Sequence, residues 1–295
     1  MNINKWLKQN THSLKGMQIA VTGATGGIGN ELCRYLAFLG ASLILLDRNQ
    51  DKSLAFKQQL LSEFPNVKIQ NIYLDLSDLS SVKKVVSLLE AQPLDILIHN
   101  AGAYKIPRYT CDGTGLDNVF QINFASPYLL TKGLIPTLLK SKNGKVIVVG
   151  SIAHNYSKID TDDIDFSSKK AASKVYGNAK RFLMFSMYEL FKNEKSVKLS
   201  VVHPGITFTN ITNHYPKLLF TLIKHPMKVI FMKPKKATLS ILKGVFDYCG
   251  YHEWIGPCLF DIWGYPKKKK LYTCSETESK KIYKIAENIL NNKLL

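Results

Sequence analysis

From residue 17 to residue 203 the chain alternates apolar runs of strand length with amphipathic segments of helix length, a pattern that few folds accommodate. The runs are Gln18–Val21, Ser42–Leu46, Val67–Leu74, Asp95–Ile98, Lys145–Val149 and Lys198–Val202. Most are continuously apolar, as strands are when helices cover both faces of a parallel sheet. Between them the spacing predicts helices near Gly29–Phe38, Lys52–Ser62, Ser80–Glu90, Gly115–Leu139 and Ser173–Phe191, each long enough for a crossover. The expected fold is therefore α/β, a doubly wound parallel sheet. After Pro204 come short apolar clusters broken by Pro216, Pro226 and Pro234, then a helical stretch near Ala237–Tyr248. The expected organisation is an arm over 1–16, one domain over 17–266 with a C-terminal substrate lid at about 205–236, and a basic, solvated tail over 267–295 containing Lys267–Lys270.

Composition removes several classes of function. The 295 residues, 45% of them hydrophobic, suffice for one large buried core, which excludes disorder throughout. No stretch reaches the roughly 18 apolar residues of a membrane-spanning helix, and the opening residues lack the apolar region of a secretory signal. Five scattered cysteines, none in Cys-x-x-Cys spacing, argue against a metal site and fit a reducing, cytoplasmic location. The net charge of +18 favours phosphates or anionic headgroups as partners. No zinc-finger spacing, RNA-recognition signature or helix-turn-helix pattern accompanies the lysines, so a nucleic acid is not expected.

Directly after the first strand stands Thr22-Gly23-Ala24-Thr25-Gly26-Gly27-Ile28-Gly29, opening a helix whose N-terminal amides and dipole can hold a pyrophosphate. Gly23 would make the tight turn, Gly27 would admit the phosphates, and Gly29 would let helix and strand pack closely. Asp47, 18 residues past Gly29 at the end of the second strand, can accept hydrogen bonds from an adenosine ribose. Its charge would repel the extra phosphate of NADP, whereas Arg48 would attract it. The turn carries no basic residue between Gly23 and Gly27, which tips the expectation to NAD, with NADP the alternative.

Tyr-x-x-x-Lys occurs at Tyr128/Lys132, Tyr176/Lys180, Tyr188/Lys192 and Tyr265/Lys269, and random placement would give roughly two matches, so context must choose. Only Tyr176/Lys180 lies in a helix that follows a strand ending in Gly150-Ser151 and leads to a strand ending in Pro204-Gly205.

With these residues in order, the chain from 17 to about 210 resembles the short-chain dehydrogenase/reductase family and its Rossmann fold. The resemblance rests on the turn Thr22–Gly29, Asp75-Leu76, Asn100-Ala101-Gly102, Asn123, Ser151, Tyr176 with Lys180, and Pro204-Gly205 followed by Thr209. It implies Ser151, Tyr176 and Lys180 as a catalytic trio, Asn123 completing a proton relay, Asp75 at the adenine and Thr209 near the nicotinamide carboxamide. It also carries the expectation of a homo-oligomer. The 24 residues between Ser151 and Tyr176, about twice the family's usual number, include Asp162-Asp163-Ile164-Asp165-Phe166 and look like the retinol-dehydrogenase-like branch. His99, Gly150 and Ala179 depart from common family residues, but none removes an acid, a base or a hydride-positioning group.

The trio has a physical rationale of its own. Hydride transfer at a carbinol carbon needs a proton moved on its oxygen, and free tyrosine, with a pKa of about 10, is too weak an acid. Depressing it to about 7 requires roughly 4 kcal/mol, which one ammonium at about 4 Å supplies at an effective dielectric near 20. Lys180, one helical turn from Tyr176, is the expected cation. Ser151 would hydrogen-bond the substrate oxygen, and His154, three residues on, reads as a hydrogen-bonded structural histidine.

The segment Ile206–Met232 carries Phe208, Tyr215, Leu218, Leu219, Phe220, Leu222, Ile223, Met227, Ile230 and Phe231, a lining suited to a bulky lipophilic alcohol, aldehyde or ketone. Lys217, Lys224, Lys228, Lys233, Lys235 and Lys236 interleave with them, so peripheral contact with an anionic membrane is an alternative to a mobile lid with solvated lysines. The expected activity is NAD(P)-dependent interconversion of such an alcohol and its carbonyl compound. The competing readings are a dinucleotide-sensing protein without turnover and a membrane-surface protein on the same fold.

Overall fold

The structure is a computed structural model that describes residues 2–207 and 232–294. Its centre is an eight-stranded sheet: β1 (Gln18–Thr22), β2 (Ser42–Asp47), β3 (Ile69–Tyr73), β4 (Ile96–His99), β5 (Lys145–Val149), β6 (Lys198–Val202), β7 (Glu253–Leu259) and β8 (Trp263–Lys270). The order is β3-β2-β1-β4-β5-β6-β7-β8; only the β7–β8 pair is antiparallel. The chain thus starts in the middle of the sheet and winds outward twice. The direction reverses between β1 and β4, where a crevice opens at the carboxyl ends of the strands.

Helices cover both faces. They are α1 (Ile3–Asn10), α2 (Gly27–Phe38), α3 (Gln50–Glu63), α4 (Leu79–Glu90), the short α5 (Asn118–Phe120), α6 (Ser126–Leu139), α7 (Ala172–Leu190), α8 (Pro234–Phe246) and α9 (Glu276–Ile289). Local chemistry sets several starts: the side chains of Asn49, Asp78 and Ser275 accept from the backbone N–H of Lys52, Ser80 and Glu278, capping α3, α4 and α9. The strands bury alternate residues on opposite faces. Ala20, Ile44, Leu97, Val146 and Val148 pack toward α4, α6, α7 and α9, and Ile19, Val21, Leu43, Leu45 and Ile147 toward α1, α2, α3 and α8.

The six expected strands all form, with β3 shorter than Val67–Leu74. The helix expected over Gly115–Leu139 starts later and is not uniform: a π-helical turn, Gln121–Ala125, separates α5 from α6. Its cause is legible in the chain. Pro127 has no N–H to donate to the Asn123 carbonyl four residues back, so the α-helical ladder cannot continue there.

The solvated basic tail expected from Lys267 is corrected by the structure. Lys267–Lys270 pair with Gly256, Ile255, Trp254 and Glu253 as part of β8, at the sheet edge, where lysines discourage pairing with another chain. The helix α9 then docks through Ile282, Ala286 and Ile289 onto the core. The expected arm over 1–16 contains α1, whose Trp6 is buried. Most of the expected lid, including Phe208, Thr209, Tyr215, Phe220 and Phe231, lies outside the described residues, while its flanks are joined by a bridge between Thr207 and Met232. Among the described residues no helix is long and apolar enough to cross a membrane.

Candidate active site

A cleft of about 660 Å³ opens at the carboxyl ends of the strands. Its walls contain nearly every residue singled out from the sequence: Thr22, Gly23, Thr25, Gly27, Ile28, Gly29, Asp47, Arg48, Asp75, Leu76, Asn100, Ala101, Gly102, Ser151, Tyr176, Lys180, Pro204 and Gly205. Thr209 lies outside the described residues.

At one end the glycine turn is held in shape by its neighbours. Thr22 Oγ1 accepts from the backbone N–H of Asn100 and Ala101 at 3.1 and 3.0 Å, and Asn100 Nδ2 donates to the carbonyls of Thr22 and Gly23, each at 3.0 Å. Gly23 has φ +65°, in the left-handed region, with the place of a Cβ already filled by Ala101. A Cβ at Gly29 would collide with the Gly23 carbonyl oxygen. The N-cap of α2 is Gly26, and no side chain caps this helix, so its first amides face the cleft unengaged by a cap. That is what a diphosphate requires, and the residues present fit a dinucleotide.

Asp47 does more than the sequence suggested. Its carboxylate is buried, and Oδ1 accepts from both the N–H and the hydroxyl of Thr25 at 3.1 and 2.9 Å, while Oδ2 accepts from Ser53 Oγ at 3.1 Å. It therefore ties the turn to β2 besides lining the cleft. Arg48 is exposed at the mouth. Asp75 is fixed by Ser77, whose N–H and hydroxyl donate to Oδ1 at 2.8 and 2.6 Å.

At the other end lie Ser151, Tyr176 and Lys180. Ser151 stands two residues past the end of β5, and its Oγ accepts from Ala153 N–H at 3.2 Å, starting the 3-10 turn Ile152–Tyr156. Tyr176 and Lys180 are one turn apart on α7, with the ammonium 5.7 Å from the Tyr176 ring centroid. Lys180 is 2% exposed, and its Nζ donates to the Val149 carbonyl at 2.9 Å. Asn123, in the π turn, uses its side chain to grip Ala103: Oδ1 accepts from Ala103 N–H at 3.1 Å and Nδ2 donates to the Ala103 carbonyl at 2.9 Å. A Cβ at Gly102 would lie 3.0 Å from Asn123 Oδ1 and 3.7 Å from Lys180 Nζ, so these groups meet beneath the Asn-Ala-Gly turn.

The electrostatics depart from the sequence expectation. Burial pushes the Tyr176 phenol up to about 12, opposed by a hydrogen bond with Ser151 and reinforced by the neighbouring Tyr104 phenol. Burial pushes Lys180 itself down to about 8. In both groups loss of water is the largest cause of the shift.

The rival Tyr-x-x-x-Lys pairs have other work. Tyr128 and Lys132 both bind the carboxylate of Glu287 on α9, Tyr188 donates to the Glu253 carbonyl, and Tyr265 and Lys269 lie on β8. His154 is structural, as expected. It is fully buried between the Ser151 carbonyl (Nδ1, 2.6 Å) and Thr273 Oγ1 (Nε2, 2.7 Å). Tyr104, Ile106, Ile152, Tyr156 and Ser173 also line the cleft and were not singled out from the sequence. Tyr104 offered one signal, its position directly after the Asn100–Ala103 turn.

This fold and cleft define a nucleotide-binding α/β protein with a tyrosine–lysine pair at one end of the cleft. The chain belongs to the short-chain dehydrogenase family, whose profile matches residues 17–217, and it is an NAD(P)-dependent oxidoreductase. It is 31% identical over 220 residues to short-chain dehydrogenase TIC 32 A, chloroplastic, of Brassica napus, covering 69% of this chain and 68% of that protein. It is 29% identical to human polyprenol dehydrogenase over 79% of this chain and 76% of the relative, and 30% identical to human retinol dehydrogenase 13 over 68% and 62%. Among solved structures, an uncharacterised protein from Mycobacterium paratuberculosis shares the fold over 97% of this chain and 98% of its own, with a TM-score of 0.76 at 20% identity. A short-chain dehydrogenase from Sphingobium yanoikuyae, solved with NADPH, gives a TM-score of 0.59 at 22% identity over 77% and 83%.

Proposed function

We propose that the protein interconverts a lipophilic alcohol and its aldehyde or ketone, with Tyr176 as general acid or base, and that NAD is its preferred cofactor. The observation that carries this reading is the meeting of Ser151, Tyr176 and Lys180 at one end of a cleft whose other end is a glycine turn and an open helix N-terminus.

In carbonyl reduction the nicotinamide supplies the hydride. Tyr176 gives its phenolic proton to the carbonyl oxygen, and its elevated pKa keeps that proton on the acid at neutral pH. Ser151 Oγ–H donates a hydrogen bond to the same oxygen and stabilises charge developing there. The Lys180 ammonium lowers the cost of the phenolate left behind. The Asn123 carbonyl, which Pro127 cannot serve as an α-helical donor, would accept from a water that returns a proton through Lys180. In oxidation each transfer runs in reverse.

Lipophilicity is supported by Tyr104, Ile106, Ile152 and Tyr156 in the cleft lining and by the polyprenol and retinol dehydrogenases among the relatives. The preference for NAD rests on Asp47, a buried carboxylate at the end of β2 that lines the cleft beside the glycine turn and would repel an added phosphate. The test follows NADH absorbance during reduction of long-chain aldehydes and ketones, comparing the native protein with Tyr176→Phe. Turnover by the native protein and loss of about 100-fold or more in the variant, with NADH binding kept, is the expected result. NADH binding without turnover by either form favours a dinucleotide sensor. Tighter NADPH than NADH binding removes the preference for NAD.

A further inference from the structure

We propose that Tyr104 is a specificity-determining residue: its ring forms a fixed wall at the reaction centre and limits the size of the smaller substituent on the carbinol carbon. This rests on the reading of Tyr176 as the acid and base.

The Tyr104 ring packs edge to face on that of Tyr176, with centroids 5.3 Å apart and planes at 71°. Both are half-buried and both line the cleft. A substrate whose oxygen reaches the Tyr176 hydroxyl must therefore place one side of its reacting carbon against Tyr104.

The wall is held rigidly, which distinguishes it from an adaptable loop side chain. Ala103, just before it, is gripped on both its N–H and its carbonyl by the Asn123 side chain at 3.1 and 2.9 Å. Just after it, Asn118 Nδ2 donates to the Pro107 carbonyl at 3.0 Å. Arg108 Nε pairs with Asp117 at 2.8 Å, and its other nitrogens donate to the carbonyls of Phe166, at 2.8 Å, and Lys169. Asp117 in turn caps α5, which leads into the π turn carrying Asn123. The four residues Tyr104–Pro107 are thus suspended between anchors that also position Asn123 and the long segment before α7. Between the anchors, Lys105 has φ +53°, a left-handed conformation that costs a residue with a Cβ about 1 kcal/mol. The backbone bears this strain at the position that aims Tyr104 at Tyr176. Ile106, two residues on, packs with Val119, Phe166, Val175 and Tyr176 in a small apolar cluster, so the segment carrying Tyr104 is held by packing as well.

The test is a series of NADH-dependent reductions in which the long chain is constant and the second substituent grows: decanal, methyl nonyl ketone and nonyl phenyl ketone. The full chain is compared with Tyr104→Phe, Tyr104→Leu and Tyr104→Ala, and NADH binding is titrated for each. The expected result is that Tyr104→Phe keeps the native ranking, whereas Tyr104→Ala raises kcat/KM for the phenyl ketone relative to decanal by about 10-fold or more, with Tyr104→Leu between them. NADH affinity stays within about 2-fold of native, a combination that mere loosening of the fold would not produce. An unchanged ranking in Tyr104→Ala overturns the inference. So does loss of all turnover in both Tyr104→Leu and Tyr104→Ala with NADH still bound, which would assign the ring to holding Tyr176 instead. Full activity in Tyr176→Phe would overturn the proposed function, and this inference with it; a dead Tyr176→Phe alongside an unchanged Tyr104→Ala ranking overturns this inference alone.

Discussion

Lys180 Nζ donates to the Val149 carbonyl oxygen at 2.9 Å, so the buried ammonium is anchored to the end of β5, one residue from the Gly150-Ser151 pair that follows. Strand and helix thereby fix the cation relative to both Ser151 and Tyr176. The link also exposes a weakness, because a neutral carbonyl compensates an ammonium poorly, and burial draws Lys180 down to about 8.

A pH dependence follows. A depressed lysine carries its charge below about 8 and loses it as pH rises through that value, while Tyr176, raised to about 12, keeps its proton throughout. For carbonyl reduction, kcat/KM should therefore be level below about pH 7 and decline above about 8. Lys180→Arg, whose guanidinium stays protonated, should lower the rate but move the decline beyond about pH 10. An identical basic limb in the variant would assign that limb to another group.

Asp47 braces Thr25, and in the proposed preference for NAD its charge also disfavours a second phosphate. In Asp47→Asn the side-chain oxygen can still accept from Thr25, so the turn should persist while the charge disappears. The ratio of NADPH to NADH affinity should rise by about 10-fold or more, measured by fluorescence titration. An unchanged ratio would show that Arg48, at the mouth of the cleft, already governs the choice.

The C-terminal helix α9 is joined to α7 by a mostly buried charge. Arg181, 3% exposed and adjacent to Lys180, donates to Glu278 through Nε at 2.9 Å and to the Thr273 carbonyl at 2.8 Å. Removing the carboxylate in Glu278→Ala leaves that guanidinium without its counter-charge and should cost about 3 kcal/mol in urea unfolding. A change under about 0.5 kcal/mol would mean that the carbonyls of Thr273 and of His154, which accepts from Arg181 Nη1 at 3.3 Å, suffice.

Acid should destabilise the protein through three buried histidines. Burial lowers His99 and His203 to about 3 and His154 to about 4. Below about pH 6.5 the unfolded chain takes up these protons and the native state does not, so stability falls as pH drops from 6.5 toward 4. Each histidine contributes a slope of about 1.4 kcal/mol per pH unit. Replacing His154 by Gln should flatten the decline in Tm over that window; an unchanged slope would mean that other groups carry it.

The six parallel strands and the glycine turn were legible because continuous apolar runs and glycines with single mechanical duties leave local signatures. Tyr176/Lys180 was separable from three similar pairs by its place between Ser151 and Pro204-Gly205. Tertiary decisions were not legible. Lys267–Lys270 look solvated until β7 supplies their partner, and Arg108 has no local signature because its partners come from residues 117 and 166–169. The rise of Tyr176 to about 12 was likewise hidden, since sequence spacing gives the distance to Lys180 but not the loss of water around both.

The most direct measurement is single-turnover reduction of decanal by the NADH-loaded protein, native against Tyr176→Phe. Rapid NADH oxidation by the native protein, with loss of about 100-fold or more in a variant that binds NADH equally well, is the result this account requires. Equal rates in the two proteins would show that the proton comes from elsewhere and would contradict it.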